Sequence, residues 1–133
     1  MGYLVIDTDV WSFLHKGDTR AEQYRPYLEG HTLCISFQTV AELYRWALTR
    51  NWGQRRVQQL ELALRDFVVL PYDNAIAMAW AKICVEREKA GKPIGAQDAW
   101  VAACAIRYNC PLVTHNAADY VAISDLQVIT VAS

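Results

Sequence analysis

Short apolar runs alternate along this chain with stretches in which apolar residues recur every three or four positions, and the two rhythms predict different elements. Tyr3-Leu4-Val5-Ile6 reads as a buried strand that ends on Asp7. A helix begins over Val10–Leu14, with Trp11, Phe13 and Leu14 apolar, and breaks near Gly17. Residues 20–29 form a second, more polar helix, and His31 to Ile35 a second strand. Ser36 is placed to cap a helix in which Val40, Leu43, Tyr44, Ala47 and Leu48 share one face, and Asn51-Trp52-Gly53 ends it. A further helix runs from about Arg55 to Leu64, and Phe67 to Pro71 is a third strand. Asp73 caps a long helix to about Ala90, and Gly91-Lys92-Pro93-Ile94-Gly95 is a loop rich in breakers. A buried helix spans 97–108, followed by strands at Pro111–Thr114 and Leu126–Val131.

Strands alternating with helices predict an α/β fold: a three-layer α/β/α sandwich around a mainly parallel sheet of about five short strands. The strands are short and continuously apolar, as expected when helices cover both faces. With 133 residues and no linker, repeat or low-complexity segment, residues 1–133 are expected to form a single domain. An apolar fraction of 53% with 20% charged residues is a globular composition. No apolar run approaches the roughly 18 residues of a membrane helix. The N-terminal run lacks a basic region and meets an acid at once, so it reads as a strand and not a secretion signal, and a cytoplasmic location is the default expectation. Cys34, Cys84, Cys104 and Cys110 sit among apolar neighbours with no C-x-x-C pair, and are expected to be buried reduced thiols and not zinc ligands.

The candidate chemistry lies in four acids at the ends of apolar elements. Asp7 closes the first strand, Glu42 sits in Thr39-Val40-Ala41-Glu42-Leu43, Asp98 opens the apolar helix from Ala99 to Ile106, and Asp119 follows Pro111-Leu112-Val113-Thr114. Singly, each has an ordinary explanation as a helix cap or loop residue. In a parallel sheet, however, ligands gather beyond the carboxyl ends of the strands, and one crevice can collect all four. Clustered carboxylates without a basic partner invite a hard cation such as Mg²⁺ or Mn²⁺, which implies chemistry on phosphates. Thr8, Asp9, Ser36, Thr114 and Asn116 are placed to support such a site as outer-shell partners.

Two further signals are weaker. The net charge of −1 argues mildly against a large nucleic-acid footprint, yet Arg45, Arg50, Arg55 and Arg56 are interleaved with Trp46 and Trp52. Arg45 and Arg50 are therefore candidate RNA contacts, with a solvated helix face as the equal alternative. His15, His31 and His115 stand apart in sequence, which disfavours a zinc or histidine-nucleophile mechanism. No Gly-rich phosphate loop or G-x-S-x-G is present.

At these residues the chain resembles the PIN-domain family, and within it the VapC-type toxins of bacterial toxin–antitoxin pairs. The matching pieces are Leu4-Val5-Ile6-Asp7-Thr8-Asp9, Ile35-Ser36 through Glu42-Leu43, Lys92-Pro93-Ile94-Gly95-Ala96-Gln97-Asp98, and Leu112 through Tyr120, in that order over nearly the whole chain. The resemblance implies an endoribonuclease dependent on Mg²⁺ or Mn²⁺, with Asp7, Glu42, Asp98 and Asp119 as catalytic, metal-holding acids and Asn116 as an alternative fourth group. It implies hydrolysis by metal-activated water, an RNA substrate such as tRNA, a VapB-like antitoxin docking beside the acids, and a homodimer. Two departures look minor: Asp9 where Asn is common, and Tyr120 where Phe is common. The alternatives are a degenerate PIN module that binds RNA or protein without cutting, and a haloacid dehalogenase-like phosphatase. The latter rests on the strand ending in Asp7-Thr8-Asp9-Val10, but no paired acid motif follows late in the chain.

Overall fold

Leu4, Val5 and Ile6 of strand β1 (Tyr3–Ile6) are buried although alternate side chains point to opposite faces. That is possible only in the middle of a sheet covered on both sides. In the computed structural model, which describes residues 2–132, β1 is followed by α1 (Thr8–Lys16), α2 (Thr19–Leu28), β2 (Thr32–Ser36), α3 (Phe37–Thr49), α4 (Gln54–Leu64), β3 (Val68–Leu70), α5 (Asn74–Lys89), α6 (Ala96–Arg107), β4 (Leu112–Val113), a 3₁₀ turn at Ala117–Tyr120, and β5 (Val128–Ile129). The strand order is β3-β2-β1-β4-β5, and all four pairings are parallel.

The alternation of β1 divides the core. Leu4 and Ile6 join Ile35, Val113 and the apolar faces of α1 to α4. Val5 joins Cys34, Leu112, Ile76 and Ile83 of α5, and the Ala99–Ala105 stretch of α6. The result is the expected three-layer α/β/α sandwich. Among the described residues no helix is long and apolar enough to cross a membrane.

Most element boundaries lie within a residue or two of the sequence reading, with instructive exceptions. Helix α1 starts at Thr8 and not Val10, because Asp7 caps it with a carboxylate oxygen that accepts from Thr8 N–H at 2.8 Å. Strands β4 and β5 are two residues each, so their apolar runs overstate the paired length. The four cysteines are free, but Cys84 and Cys110 are only half-buried. Cys84 lies within the outer helix α5, and Cys110 in the turn before β4.

The topology also makes the crevice. The chain builds outward from β1 to β2 and β3, then returns to place β4 on the other side of β1. Connections diverge at β1 and β4, and a binding site in such sheets forms at this switch point, beyond the carboxyl ends of the strands.

Candidate active site

Asp7 stands at that point. Its backbone N–H donates to Val113 O at 2.9 Å, tying it to β4. Its side chain is 8% exposed yet has no cation partner among the described residues. Three donors offset the cost of burying it: Thr8 N–H on Oδ1, and the hydroxyls of Thr114 and Tyr120, each at 2.8 Å, on Oδ2.

Glu42 comes from the second turn of α3, a helix capped by Ser36 through Thr39 N–H at 3.1 Å. The Thr39 hydroxyl lies 3.3 Å from Ser36 Oγ and 3.1 Å from Thr8 Oγ1, and Thr8 Oγ1 reaches Glu42 Oε1 at 3.3 Å. A run of buried hydroxyls therefore connects the end of β2 to the start of α1 and to the Glu42 carboxylate. Thr39 belongs to this run and was not among the expected supporting residues. Its hydroxyl reads in sequence as an ordinary helix position.

Asp9, in the first turn of α1, accepts from Val10 N–H at 2.7 Å, from His115 N–H at 3.1 Å and from Asn116 Nδ2 at 2.9 Å. Asn116 is thus engaged with Asp9, whereas the Asp119 carboxylate makes no hydrogen bond or ion pair among the described residues. Asp98 occupies the first turn of α6 behind the Gly95 cap. Among the described residues its carboxylate has one hydrogen-bond partner, the Tyr120 hydroxyl at 3.4 Å. These groups converge on a cleft of about 160 Å³ lined by Asp7, Thr8, Asp9, Glu42, Trp46, Gln97, Asp98, Val101, Asn116 and Asp119. No lysine lines it, which removes a group the phosphatase reading requires.

Electrostatics record the crowding. Burial, then the Asp7 charge, pushes Asp9 up to about 6, although the backbone N–H groups of Val10 and His115 pull the other way. Glu42 is raised by burial against the opposing Thr8 hydrogen bond. Asp98 is raised by burial and then by the charges of Asp7 and Asp119. Among the described residues, no three Asp, Glu, His or Cys groups already stand in a geometry that holds a metal ion. The donor set nevertheless fits a hard divalent cation: it is all oxygen, rich in negative charge, and without a basic partner inside the cleft. Mutual repulsion and the competing hydroxyls give the physical reason for an open arrangement.

Two residues outside the expected set organise these acids. Arg87 of α5, 5% exposed, donates from Nε to Lys92 O at 2.6 Å and from Nη1 to Asp119 O at 2.7 Å. It fixes the loop that leads to α6 and the 3₁₀ turn that carries Asp119. Tyr120 corrects an expectation. Its exchange for Phe looked conservative, but the hydroxyl bridges Asp7 and Asp98 from a site only 3% exposed. Burial and then the carboxylates of Asp7 and Asp98 raise its pKa strongly, so it stays a donor. Tyr120→Phe is expected to keep the fold and lower stability by about 1.5–3 kcal/mol, the contribution typical of a hydrogen bond to a charged group. An unchanged melting temperature would mean that the hydroxyl is dispensable. Of the two arginines expected to meet RNA, Arg50 lines a second cleft beside the acids, whereas Arg45 lines neither.

The chain is similar to known proteins along nearly its whole length. Ribonuclease VapC1 of Haemophilus influenzae strain R2866 is 31% identical over 125 residues, covering 92% of this chain and 93% of the relative. A tRNA(fMet)-specific endonuclease VapC of Shigella flexneri is 27% identical over 123 residues, covering 92% and 93%. The solved structure of VapBC-1 from nontypeable Haemophilus influenzae superposes with a TM-score of 0.81 at 31% identity, over 98% of each chain. The PIN domain family model matches residues 4–124, and this chain belongs to the PIN domain family.

Proposed function

We propose that this chain is the toxin of a VapBC-type toxin–antitoxin pair, an endoribonuclease that depends on Mg²⁺ or Mn²⁺ and acts in the cytoplasm. The observation that carries the reading is the convergence of five carboxylates on one cleft at the switch point of the sheet, with no ion pair to any of them among the described residues. The ribonuclease relatives, which align along nearly the whole chain, support it. Asp7, Glu42, Asp98 and Asp119 are the residues that would hold the cation. When bound, it supplies neutralisation of phosphate charge and a lowered pKa for the attacking water.

The chain's own residues do the rest. Thr114 and Tyr120 hold the Asp7 carboxylate in one orientation. Thr8 restrains Glu42. His115 N–H and Asn116 secure Asp9 against the end of β4. Asp98 and Asp119 keep most of their lone pairs available. The cleft places no serine, cysteine or histidine side chain among these acids, and in this reading the attacking group is water and not a side chain.

The substrate is RNA, with tRNA the first class to test. The partners are a VapB-like antitoxin that covers the cleft and a second copy of the chain as a homodimer. Purified protein is expected to cut RNA with Mn²⁺ or Mg²⁺ and to stop when EDTA is added. If folded, metal-loaded protein leaves total cellular RNA intact, the proposal gives way to a binding module.

A further inference from the structure

Five acids in one cleft repel a polyanion and a bound cation offsets only part of that charge, so affinity for RNA also calls for cationic groups elsewhere on the surface. Beside the acidic cleft lies a second one of about 460 Å³, between α1, α3 and α4. That is within the roughly 300–1,000 Å³ typical of ligand sites. Its lining includes Lys16, Arg50 and Arg56 with Trp46 and Trp52, and no Asp or Glu. The guanidinium of Arg56 lies 4.3 Å from the Trp52 ring centroid, and that of Arg50 lies 5.3 Å from Trp46. Trp46 lines both clefts, so the two are neighbours that share a wall.

We infer that this second cleft is the anchoring subsite for a single-stranded segment of the RNA. Bases stack on the indole and guanidinium planes, and flanking phosphates pair with Lys16, Arg50 and Arg56. This rests on the ribonuclease reading and adds where the substrate is held. The charge distribution selects RNA over a protein segment: the basic, aromatic cleft adjoins the acidic one at Trp46, so a strand anchored in the first has its neighbouring phosphates within reach of the second. An unpaired strand is required because a base inside a duplex has no free face to stack.

The test uses the full chain carrying Asp98→Asn, so that binding is read without cleavage. The probe is a short, unstructured, fluorescein-labelled oligoribonucleotide in Mn²⁺, followed by anisotropy across a salt series. Arg50 and Arg56 are exposed, and the double variant Arg50→Gln/Arg56→Gln keeps the fold. It is expected to weaken binding about tenfold and to flatten the slope of log K against log salt by about 1.4, the loss of two phosphate contacts on a single strand. Trp46→Ala is expected to weaken binding by about fivefold or more with the slope unchanged, the signature of lost stacking. The same sequence as a duplex is expected to bind more weakly and to ignore Trp46→Ala. Unchanged affinity and slope in both variants would overturn the proposal and leave the cleft to a protein partner. Cleavage of RNA by the otherwise wild-type chain is scored separately, so loss of the subsite and loss of the ribonuclease reading give different results.

Discussion

Asp98→Asn is expected to reduce metal-dependent RNA cleavage by about 100-fold or more while leaving the melting temperature of the metal-free protein unchanged or higher. Changes to outer-shell partners of metal ligands already cost about 10–100-fold, and a proposed ligand lost outright costs at least as much. The stability half of the expectation follows from the surroundings of Asp98. Among the described residues its carboxylate has a single long hydrogen bond, from the Tyr120 hydroxyl at 3.4 Å, and it feels the charges of Asp7 and Asp119. Asparagine fills the same space and removes the repulsion. The loss is a first-turn acid at a helix N-terminus, about 0.3–1 kcal/mol. Asp7→Asn is a poorer probe. Asp7 caps α1 and accepts from two buried hydroxyls, and an amide nitrogen in place of one oxygen faces donors it cannot satisfy. That variant is expected to melt lower, which confounds an activity loss with unfolding. Cleavage assays and thermal melts on Asp98→Asn decide the matter: wild-type cleavage sinks the proposed role, and a collapsed melt makes the acid structural.

What the sequence made legible were groups that announce themselves at the end of an apolar run. Asp7, Glu42, Asp98 and Asp119 were found because each sits at an edge where a carboxylate is conspicuous, and all four line one cleft. The residues that arrange them were not legible. Arg87 reads as one more polar position near the end of a helix, yet it is buried and its acceptors are backbone carbonyls of Lys92 and Asp119. Backbone acceptors leave no trace in residue identity. The hydroxyl of Tyr120 is a single atom beyond Phe, and its importance depends on how close two acids from distant parts of the chain come to it. The 3₁₀ turn at Ala117–Tyr120 lacks any helical period and follows from tertiary contacts, with Tyr120 buried and Asp119 O held by Arg87. Arg45 was grouped with Arg50 by proximity in sequence. Arg45 lies within α3 and Arg50 caps its C-terminal end, so the two do not share a face, and the cleft takes its other cations from Lys16 on α1 and Arg56 on α4.

Stability in EDTA is expected to fall as pH rises from 5 to 7, and Mn²⁺ is expected to cancel or reverse that trend. Asp9 has its carboxyl pushed from 3.8 up to about 6, and Glu42 and Asp98 are raised as well. Between the unfolded and folded values the native state holds more protons than the unfolded chain. Its stability is therefore greatest on the acid side of this window and declines as pH passes through the folded values. Asp18, Asp73 and Glu86 are shifted the other way, and their contribution is already complete above about pH 5. The window from pH 5 to 7 is therefore where the raised acids of the cleft contribute. Asp9 alone accounts for about 1 kcal/mol across it, or about 4 °C in melting temperature for a chain of this length. Metal reverses the sign because cation and protons compete for the same oxygens. At 100 times its dissociation constant, a bound cation adds about 2.7 kcal/mol, and the gain grows as the carboxylates ionise. The difference between Mn²⁺ and EDTA melts should widen from pH 5 to 7 in the wild type and shrink in Asp98→Asn. A difference equal in both proteins would place the cation elsewhere on the surface, and no difference at millimolar Mn²⁺ would remove the metal from the mechanism.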